Sequence, residues 1–448
     1  MRVVSALMFF PRGGSSHVAR SLARALPPLG HDVTVVSGSL PSGHGDAEAF
    51  YAGLDLVAVD FDAGDAPMHP SYEDRADAAD LVFARVDDAA YEAHVDAWSA
   101  ALVRARADEA DVLHLHHLTP IHEAAARVAP GVPVVGHLHG TELLMLEQIA
   151  EGPPAGWDHA SAWAQRMRGW AQGCSRLLLL AETQRERAAE LLGVEAHRCV
   201  VVPNGFSPEA FTPSPVDREA LWRRHLVDEP RGWRPGGGEG SVRYDAEAVG
   251  RLAAGTVLLC VGRFTEVKRA GLLVRAFARA QDTFAAPASL VFVGGHPGEW
   301  EGEHPFDAVA ATGARDVYLA GWHDHDALPE LLNAADALVL ASVREQFGSV
   351  LVEAMGCGLP PIAVDRFGPA EIVTAGETGW LVEPDDEAGL AAALQEVVGD
   401  AGERARRAEL ALRDARDRFA WPALAARVAA VFTEVADPPG RRLTTSTT

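Results

Sequence analysis

The sequence has very little lysine and cysteine, and it lacks long apolar runs. Its 39 basic residues are 38 arginines and a single lysine, Lys268, in a chain of 448 residues. The four cysteines lie far apart and form no Cys-x-x-Cys pair, which argues against a zinc knuckle and a disulfide framework. No apolar run approaches the ~20 residues that a membrane-spanning helix needs. We therefore expect buried thiols in a reducing compartment and no integral membrane segment.

The chain is acidic along its whole length. The formal net charge is −24, and residues 1–205 carry 15 arginines against 27 acidic residues. This negative charge disfavours electrostatic binding to nucleic acid or to an anionic membrane surface. The apolar run at residues 3–10 faintly mimics a signal peptide, but no small-residue cleavage site follows it. We expect a cytoplasmic protein whose partners are small molecules.

Several common catalytic motifs are also missing. The sequence contains no Gly-x-Ser-x-Gly nucleophile elbow, no Gly-x4-Gly-Lys-[Ser/Thr] phosphate loop and no Gly-x-Gly-x-x-Gly dinucleotide fingerprint. Short β-branched runs instead alternate with amphipathic segments. The runs of the first half are VVSALMFF, DVTVVSG, DVLHLHH, VPVVGHLHG, RLLLLA and CVVVPNG, and those of the second half are TVLLCVGR, SLVFVGG, DVYLAGW, ALVLASV, PPIAVD and GWLVEP. This pattern predicts an α/β protein with two doubly wound parallel sheets.

The pattern also places the domain boundaries. A first Rossmann-like domain is expected at residues 1–205, and a second at residues 256–417. Residues 206–255, which include the segment EPRGWRPGGGEGSVR, are expected to form a linker with a flexible, Gly/Arg-rich insertion. A last amphipathic helix is expected at residues 418–435, followed by a disordered tail at 436–448.

The single lysine lies in VGRFTEVKRA, directly after a predicted buried strand. Arg263 and Lys268 in this segment can jointly hold a diphosphate, since lysine is a compact point charge and arginine a planar fork. Ligands of doubly wound sheets bind beyond the carboxyl ends of the strands, where this segment is expected. The pair therefore predicts a diphosphate site in the second domain.

The segment SVREQFGSVLVEAMGCGLP places Glu345 and Glu353 on either side of Gly348–Ser349. Ser349 is expected to be the N-cap of a helix at about Val350–Met355. The free N–H groups at such a terminus form an anion site. The two carboxylates can accept hydrogen bonds from hydroxyl pairs, such as those of a ribose and a hexose.

Histidines are concentrated in DVLHLHHLTP and GHLHG. On predicted strands, His114 and His116 share one face, as do His137 and His139. Such pairs occur in metal hydrolases, but the Asp-His that completes the common di-metal pattern is absent. We therefore expect no metal ligand, and we expect His116, His117 and His139 to contact a donor or an acceptor.

Six motifs in this order resemble the family-4 retaining glycosyltransferases of the GT-B fold. They are HGTE, VVPNGF, GRFTEVKR, the Glu-x7-Glu block, FGPAEIV and ETGWLV. The resemblance covers nearly the whole chain, from the Gly13–Gly14 loop to Trp421. It implies two facing Rossmann-like domains, the first for the acceptor and the second for the nucleotide sugar, with the C-terminal helix returning to the first. It also implies catalysis without a metal or other cofactor.

The resemblance assigns roles to individual residues. Arg263 and Lys268 are expected to bind the donor diphosphate, and Glu345 the hydroxyls of the transferred sugar. Glu353 is expected to hold the ribose, and His139 to lie by the anomeric carbon. Expected catalytic residues are His139, Arg263, Lys268 and Glu345. Expected donor-site residues are Gly13, Gly14, Arg263, Lys268, Gly294, Glu345, Phe347, Gly348, Ser349, Val350 and Glu353. Expected acceptor-site residues are His17, His116, His117 and His139.

These observations favour a retaining, metal-independent hexosyltransferase. The donor is expected to be a hexose or N-acetylhexosamine linked to UDP or GDP. The acceptor is expected to be a soluble polyol, cationic compound or small glycoside of natural product biosynthesis. The alternatives are a GT-B sugar phosphorylase, a nucleotide-sugar epimerase, a non-catalytic relative that binds nucleotide sugar, and a metal-dependent hydrolase that uses the His-x-His pairs.

Overall fold

The computed structural model of the chain describes residues 1–11, 13–43, 45–73 and 81–437. The chain divides into two compact units, one made of Met1–Asn204 together with the segment from Trp421 onward, the other of Gly205–Ala420. Most of the expected tail, residues 438–448, lies outside the described residues.

The first unit is built on a parallel sheet. Among its described residues the sheet has seven strands, in the order β3-β2-β1-β4-β5-β6-β7. Residues of β1 and β4 are buried almost without exception, as expected for strands that helices cover on both faces. The strands are β1 (Arg2–Leu7), β2 (Asp32–Ser39), β3 (Asp55–Asp60), β4 (Val112–His116), β5 (Val134–His137), β6 (Arg176–Leu179) and β7 (Cys199–Val201). The helices are α1 (Gly14–Ala25), α2 (Ala47–Phe50), α3 (Asp88–Arg104), α4 (Ile121–Val128), α5 (Thr141–Glu151), α6 (Ala160–Gly173) and α7 (Arg185–Leu192).

The second unit repeats this architecture. Its described residues form a sheet of six parallel strands in the order β10-β9-β8-β11-β12-β13. The strands are β8 (Thr256–Val261), β9 (Ala288–Val293), β10 (Val317–Gly321), β11 (Ala337–Leu340), β12 (Pro361–Val364) and β13 (Trp380–Val382). The helices are α8 (Arg218–Arg223), α9 (Ala246–Ala254), α10 (Ala270–Gln281), α11 (Pro305–Thr312), α12 (Leu328–Asn333), α13 (Ser349–Gly356), α14 (Phe367–Ile372), α15 (Glu387–Gly399) and α16 (Ala401–Phe419). The predicted α/β class with two doubly wound parallel sheets is confirmed.

The last helix belongs to the first unit. Helix α17 (Trp421–Ala436) buries Leu424, Val428 and Phe432 completely against a core that includes Val3 of β1 and Leu22 of α1. The expected return of the C-terminal helix to the first domain is confirmed, although α17 starts at Trp421 and residues 418–420 stay with the second unit. None of the described helices combines the length and the apolarity needed to span a bilayer.

The segment 206–255 is not a linker in the structure but a part of the second unit. Two aromatic side chains hold its Gly-rich stretch against the sheet. The indole of Trp233 is buried and donates a 2.8 Å hydrogen bond to the carbonyl of Gly295, and the hydroxyl of Tyr244 accepts one of 2.8 Å from the Leu319 N–H. Its composition predicted flexibility, but the buried indole of Trp233 and the hydrogen bond of the partly buried Tyr244 order the segment.

Candidate active site

The loops that follow β8 and β11 bring two predicted residues together. Lys268 ends a short 3-10 turn after β8, and its ammonium donates a short hydrogen bond to the carboxylate of Glu345, 77 residues away. The Val343 N–H also donates to the Val267 carbonyl at 3.0 Å, which ties the two loops to each other. Both charged side chains are about three-quarters buried, so the pair lies in a recess that still opens to solvent.

Helix α13 starts one residue earlier than expected. Its N-cap is Gly348, at φ 94°, and not Ser349, which is the first helical residue. Only glycine adopts this left-handed conformation without strain, and a Cβ there would lie 3.2 Å from Cγ of Glu345. Gly348 has no side chain that could cap the first turn, so the N–H groups of Ser349 and Val350 are available to an anion at the positive end of the helix dipole. Phe347 is buried and packs edge-on against Phe419 at 6.0 Å.

Glu353, one helical turn further into α13, has a partner that the sequence did not indicate. His325, in the loop after β10, lies with its Nε2 2.7 Å from Oε1 of Glu353. The carboxylate is nearly buried, whereas the imidazole is about a third exposed. His325 therefore holds one oxygen of Glu353 and orients the other.

Arg263 and Gly294 lie at the ends of β8 and β9. Arg263 is exposed, and among the described residues it has no ion-pair partner. Gly294 has φ 128°, and a Cβ there would lie 2.2 Å from the carbonyl oxygen of Gly262. Glycine is therefore required at this turn by a close backbone approach.

In the first unit, the Gly-rich loop leads into α1. Gly13 is the N-cap of α1 with φ −136°, a value open to any residue. Apart from their neighbours in the chain, no described residue has an atom within 4 Å of a Cβ built on Gly13 or Gly14. The backbone at both glycines therefore borders open space. His17, on the first turn of α1, packs edge-on against Phe50 at 5.0 Å and lies 3.2 Å from an Arg20 nitrogen.

The three other predicted acceptor-site histidines surround the end of β4. His116 is fully buried, and its Nδ1 lies 3.0 Å from Nε2 of the half-buried His139. His117 has φ 61°, and its Nδ1 lies 3.0 Å from the carboxylate of Glu142. Glu142 is fully buried and also accepts the backbone N–H of His139 at 3.2 Å. The structure thus brings His117 and the backbone of His139 to one carboxylate, and His116 to the ring of His139.

The electrostatics of this group follow from burial. Burial, and then the neighbouring histidines, holds the pKa values of His116 and His139 well below the ordinary range, so both rings are neutral at pH 7. Burial alone would raise the pKa of Glu142, but His117 and the N–H donors outweigh it and lower the value. A neutral His139 beside an ionised carboxylate can donate one hydrogen bond to a sugar hydroxyl or accept one from it.

Two residues of these sites were missed by sequence analysis. His325 lies in GWHDHD, a segment in which the sequence predicted no site residue, and Glu142 lies in HGTE, where a role was predicted only for His139. A signal existed for Glu142, since an acidic residue at the start of the apolar helix TELLML must be paired if it is buried. No signal identifies His325, since its contact with Glu353 spans 28 residues and depends on how β10 and α13 pack.

Acidification is expected to destabilise the first unit through two buried histidines outside these sites. Burial lowers the pKa of His94 and of His122 to about 4, below the ordinary value of about 6.5. The unfolded chain therefore binds more protons between about pH 6.5 and pH 4, and stability falls as pH drops through this window. Each histidine contributes up to about 1.4 kcal/mol per pH unit.

Urea unfolding midpoints measured from pH 7 to pH 4.5 check this prediction. His94→Gln should flatten the dependence on pH, whereas His197→Gln, at an exposed histidine of the same unit, should leave it unchanged. An equal slope in all three proteins would show that His94 does not titrate in this way.

Comparisons with known proteins cover nearly the whole chain. Residues 12–210 match the family model described as Glycosyltransferase Family 4, and residues 247–413 match the model described as Glycosyl transferases group 1. A glycogen synthase of Mycobacterium tuberculosis is 27% identical over 94% of this chain and 91% of its own length. A D-inositol 3-phosphate glycosyltransferase of Acidothermus cellulolyticus is 31% identical over 73% of this chain and 69% of its own length.

Solved structures show the same fold. HepE of Anabaena, crystallised with UDP and glucose, superposes with a TM-score of 0.67 at 17% identity, over 96% of this chain and 99% of that one. A sucrose-phosphate synthase of Thermosynechococcus elongatus has a TM-score of 0.65 at 18% identity, over 97% of this chain and 98% of that one. At this level of identity the likeness concerns the fold alone.

Proposed function

This chain belongs to the GT-B glycosyltransferases of family 4, and from that premise we propose that it transfers a hexose or N-acetylhexosamine from a UDP- or GDP-linked donor, with retention of configuration. The observation that carries the proposal lies in the second unit. There the lone lysine, Lys268, meets Glu345 beside the uncapped N-terminus of α13. A cation, a carboxylate and free N–H groups in one recess suit a diphosphate joined to a polyhydroxyl ring.

Each of these groups has a separate role in the proposed donor site. Lys268, Arg263 and the first N–H groups of α13 stabilise the charge that develops on the leaving diphosphate. Glu345 accepts hydrogen bonds from the hydroxyls of the transferred sugar. Glu353, held by His325, accepts those of the ribose. Gly294 and Gly348 keep the backbone free of side chains beside the ligand.

For the chemical step we propose attack on the face from which the diphosphate leaves. The acceptor oxygen bonds to the anomeric carbon as the bond between that carbon and the diphosphate oxygen breaks. The leaving diphosphate oxygen then takes the proton of the acceptor hydroxyl. This step leaves the configuration unchanged and needs no metal at the diphosphate, since Arg263 and Lys268 carry the positive charge. Proton NMR coupling constants of the product test it, since an inverted anomeric centre would contradict retention.

We propose a small, soluble, neutral or cationic acceptor such as a polyol, an aminocyclitol or an intermediate of natural product biosynthesis. Residues 1–205, which make up nearly all of the first unit, carry a net charge of −12, and this favours acceptors without negative charge. The relatives named for D-inositol 3-phosphate share the polyol part of this choice but not its lack of negative charge. The four cysteines are free thiols, which supports a cytoplasmic location for the reaction. Tight binding to anionic vesicles at physiological salt would contradict this choice of acceptor.

A thermal unfolding series with UDP, GDP, dTDP and ADP, without added metal, tests the donor site. A nucleotide at 100 times its Kd should stabilise the protein by about 2.7 kcal/mol, which shifts Tm by several degrees. One nucleotide that stands out identifies the base of the donor. No shift with any of the four would contradict the proposal. Turnover that depends on free phosphate would instead identify a sugar phosphorylase.

His325→Ala is expected to raise the donor KM roughly tenfold with little change in kcat. The imidazole orients Glu353 and does not reach the transferred sugar in this proposal, so its loss weakens ground-state binding by about one hydrogen bond to a charged group. The preference for UDP or GDP over the 2′-deoxy nucleotide should shrink in the same proportion. His197→Ala, at an exposed histidine, is the control. A fall in kcat at unchanged KM would place His325 in the chemical step.

A further inference from the structure

We propose that the first unit binds one divalent transition-metal ion between His114, His116 and His137. These three residues are named the histidine cluster below. The inference goes beyond sugar transfer and does not depend on it, because the cluster is made only of residues of the first unit, whereas the proposed diphosphate site is made of residues of the second. Sequence analysis predicted no metal ligand, because no di-metal motif is present.

Strand register brings the three rings together. His114 and His116 are two residues apart on β4 and share one face of the sheet. The parallel register of β4 and β5 places His137 directly beside His116. One ring nitrogen from each residue lies within 4.8 Å of the other two, and Nε2 of His114 lies 3.1 Å from Nδ1 of His137. Ligands of a tetrahedral ion with metal–nitrogen bonds of about 2.05 Å are about 3.3 Å apart, so small ring rotations complete the site.

The protonation state of the cluster suits a metal. All three side chains are at most 1% exposed, and burial lowers the pKa of His137 to about 3 and those of His114 and His116 well below the ordinary range. The rings are therefore neutral at pH 7, and their lone pairs are available without loss of a proton. A set of imidazole nitrogens favours Zn²⁺, Cu²⁺ or Ni²⁺ over Mg²⁺ or Ca²⁺.

The protein leaves part of the cluster unsatisfied. Nε2 of His137 is buried and has no hydrogen-bond partner among the described residues. Such an atom is unfavourable in an apolar core unless a ligand or an ion engages it. The imidazoles of the cluster therefore do not satisfy one another fully, and His137 has a nitrogen that an ion can engage.

The surroundings provide a second layer of contacts. The hydroxyl of Ser5 on β1 lies 3.5 Å from Nδ1 of His114 and 3.2 Å from Nε2 of His116. Phe432 of α17 packs edge-on over the His114 ring at 5.2 Å. The buried, ionised Glu142 is close enough to act electrostatically on His137, and its negative charge would partly offset that of a cation.

These contacts define what the ion would do. Because the three rings are buried, the fourth position of the ion would be filled inside the unit, by the Ser5 hydroxyl or by water, and we assign the ion a structural role and not that of a hydrolase. It would link β4 to β5 beneath α17. The first unit would then be more stable with the ion bound, because an ion that binds only the folded state shifts the unfolding equilibrium.

Metal titration of the full chain, purified without a histidine tag and stripped with a chelator, tests the proposal. We expect one Zn²⁺ per chain after equilibrium dialysis, a rise in Tm of several degrees, and a visible absorption spectrum of a low-symmetry nitrogen site with Co²⁺. His114→Gln and His137→Gln should lose the bound ion and the Tm shift. His122→Gln, at a buried histidine of the same unit outside the cluster, should keep both.

A second measurement covers the case in which the buried variants do not fold. Crystals of the wild-type chain soaked in Zn²⁺ should give an anomalous peak between the three rings, and X-ray absorption should report a shell with imidazole nitrogens. Failure to retain Zn²⁺ on dialysis, or an anomalous peak only at other residues, would overturn the proposal. The cluster would then be a hydrogen-bonded set of neutral imidazoles.

Discussion

Glu345→Ala is expected to lower kcat by about 10²–10³-fold while leaving the affinity for UDP or GDP nearly unchanged. In the structure this carboxylate pairs with Lys268 and lies beside the cap of α13. In the proposed complex it contacts the transferred sugar and not the nucleotide. Its removal also frees Lys268 for the diphosphate, so nucleotide binding should not weaken.

Single-turnover rates and calorimetric titration with the nucleotide separate these two effects. Glu330→Ala, at an exposed glutamate of the same unit that pairs with Arg224, is the matched control and should change neither quantity. If Glu345→Ala abolishes nucleotide binding, the roles assigned to Glu345 and Glu353 must be exchanged.

Lys268→Ala is expected to lower kcat/KM by about 10²–10³-fold and to weaken binding of the nucleoside diphosphate as well. The ammonium neutralises charge that is present on the bound diphosphate and that grows as the glycosidic bond breaks. Lys268→Arg should restore the activity only in part, because a planar guanidinium does not replace a compact ammonium in a recess already shared with Glu345.

The control for Lys268 is Arg275→Ala, which removes a half-exposed cation of α10 that pairs with Glu303. The effects of Lys268→Ala and Glu345→Ala should not add in the double variant, since the two side chains contact each other. Full activity in Lys268→Ala would remove the lysine from the diphosphate site. Strictly additive losses would show that the observed ion pair has no part in the reaction.

Sequence analysis predicted most of the strands because each is a short run of β-branched or apolar residues buried on both faces. It did not name β3 (Asp55–Asp60), whose burial is only partial. It also misjudged residues 206–255, because glycine, arginine and proline predict flexibility when the chain is considered locally. Burial of Trp233 and the hydrogen bond of Tyr244 to β10 override that local preference.

The sequence also predicted the region of the donor-site residues, because these residues follow strands. Parallel strands place all their carboxyl ends at one edge of a sheet, so Arg263, Lys268 and Glu345 could be assigned to one region before any distance was known. The predicted N-cap of α13, Ser349, was wrong by one residue. Serine is the commoner N-cap, but the turn into this helix requires the positive φ of Gly348.

The sequence by itself determined the two doubly wound sheets, the position of the lone lysine after β8, and the two glutamates around the start of α13. Only the tertiary structure decided that Lys268 pairs with Glu345, that His325 orients Glu353, and that three histidines of β4 and β5 converge. The physical reason is how far apart in the sequence the interacting residues lie. Strands, helices and their edges follow from neighbours in the chain, whereas contacts between distant segments depend on strand register and on the path of each loop.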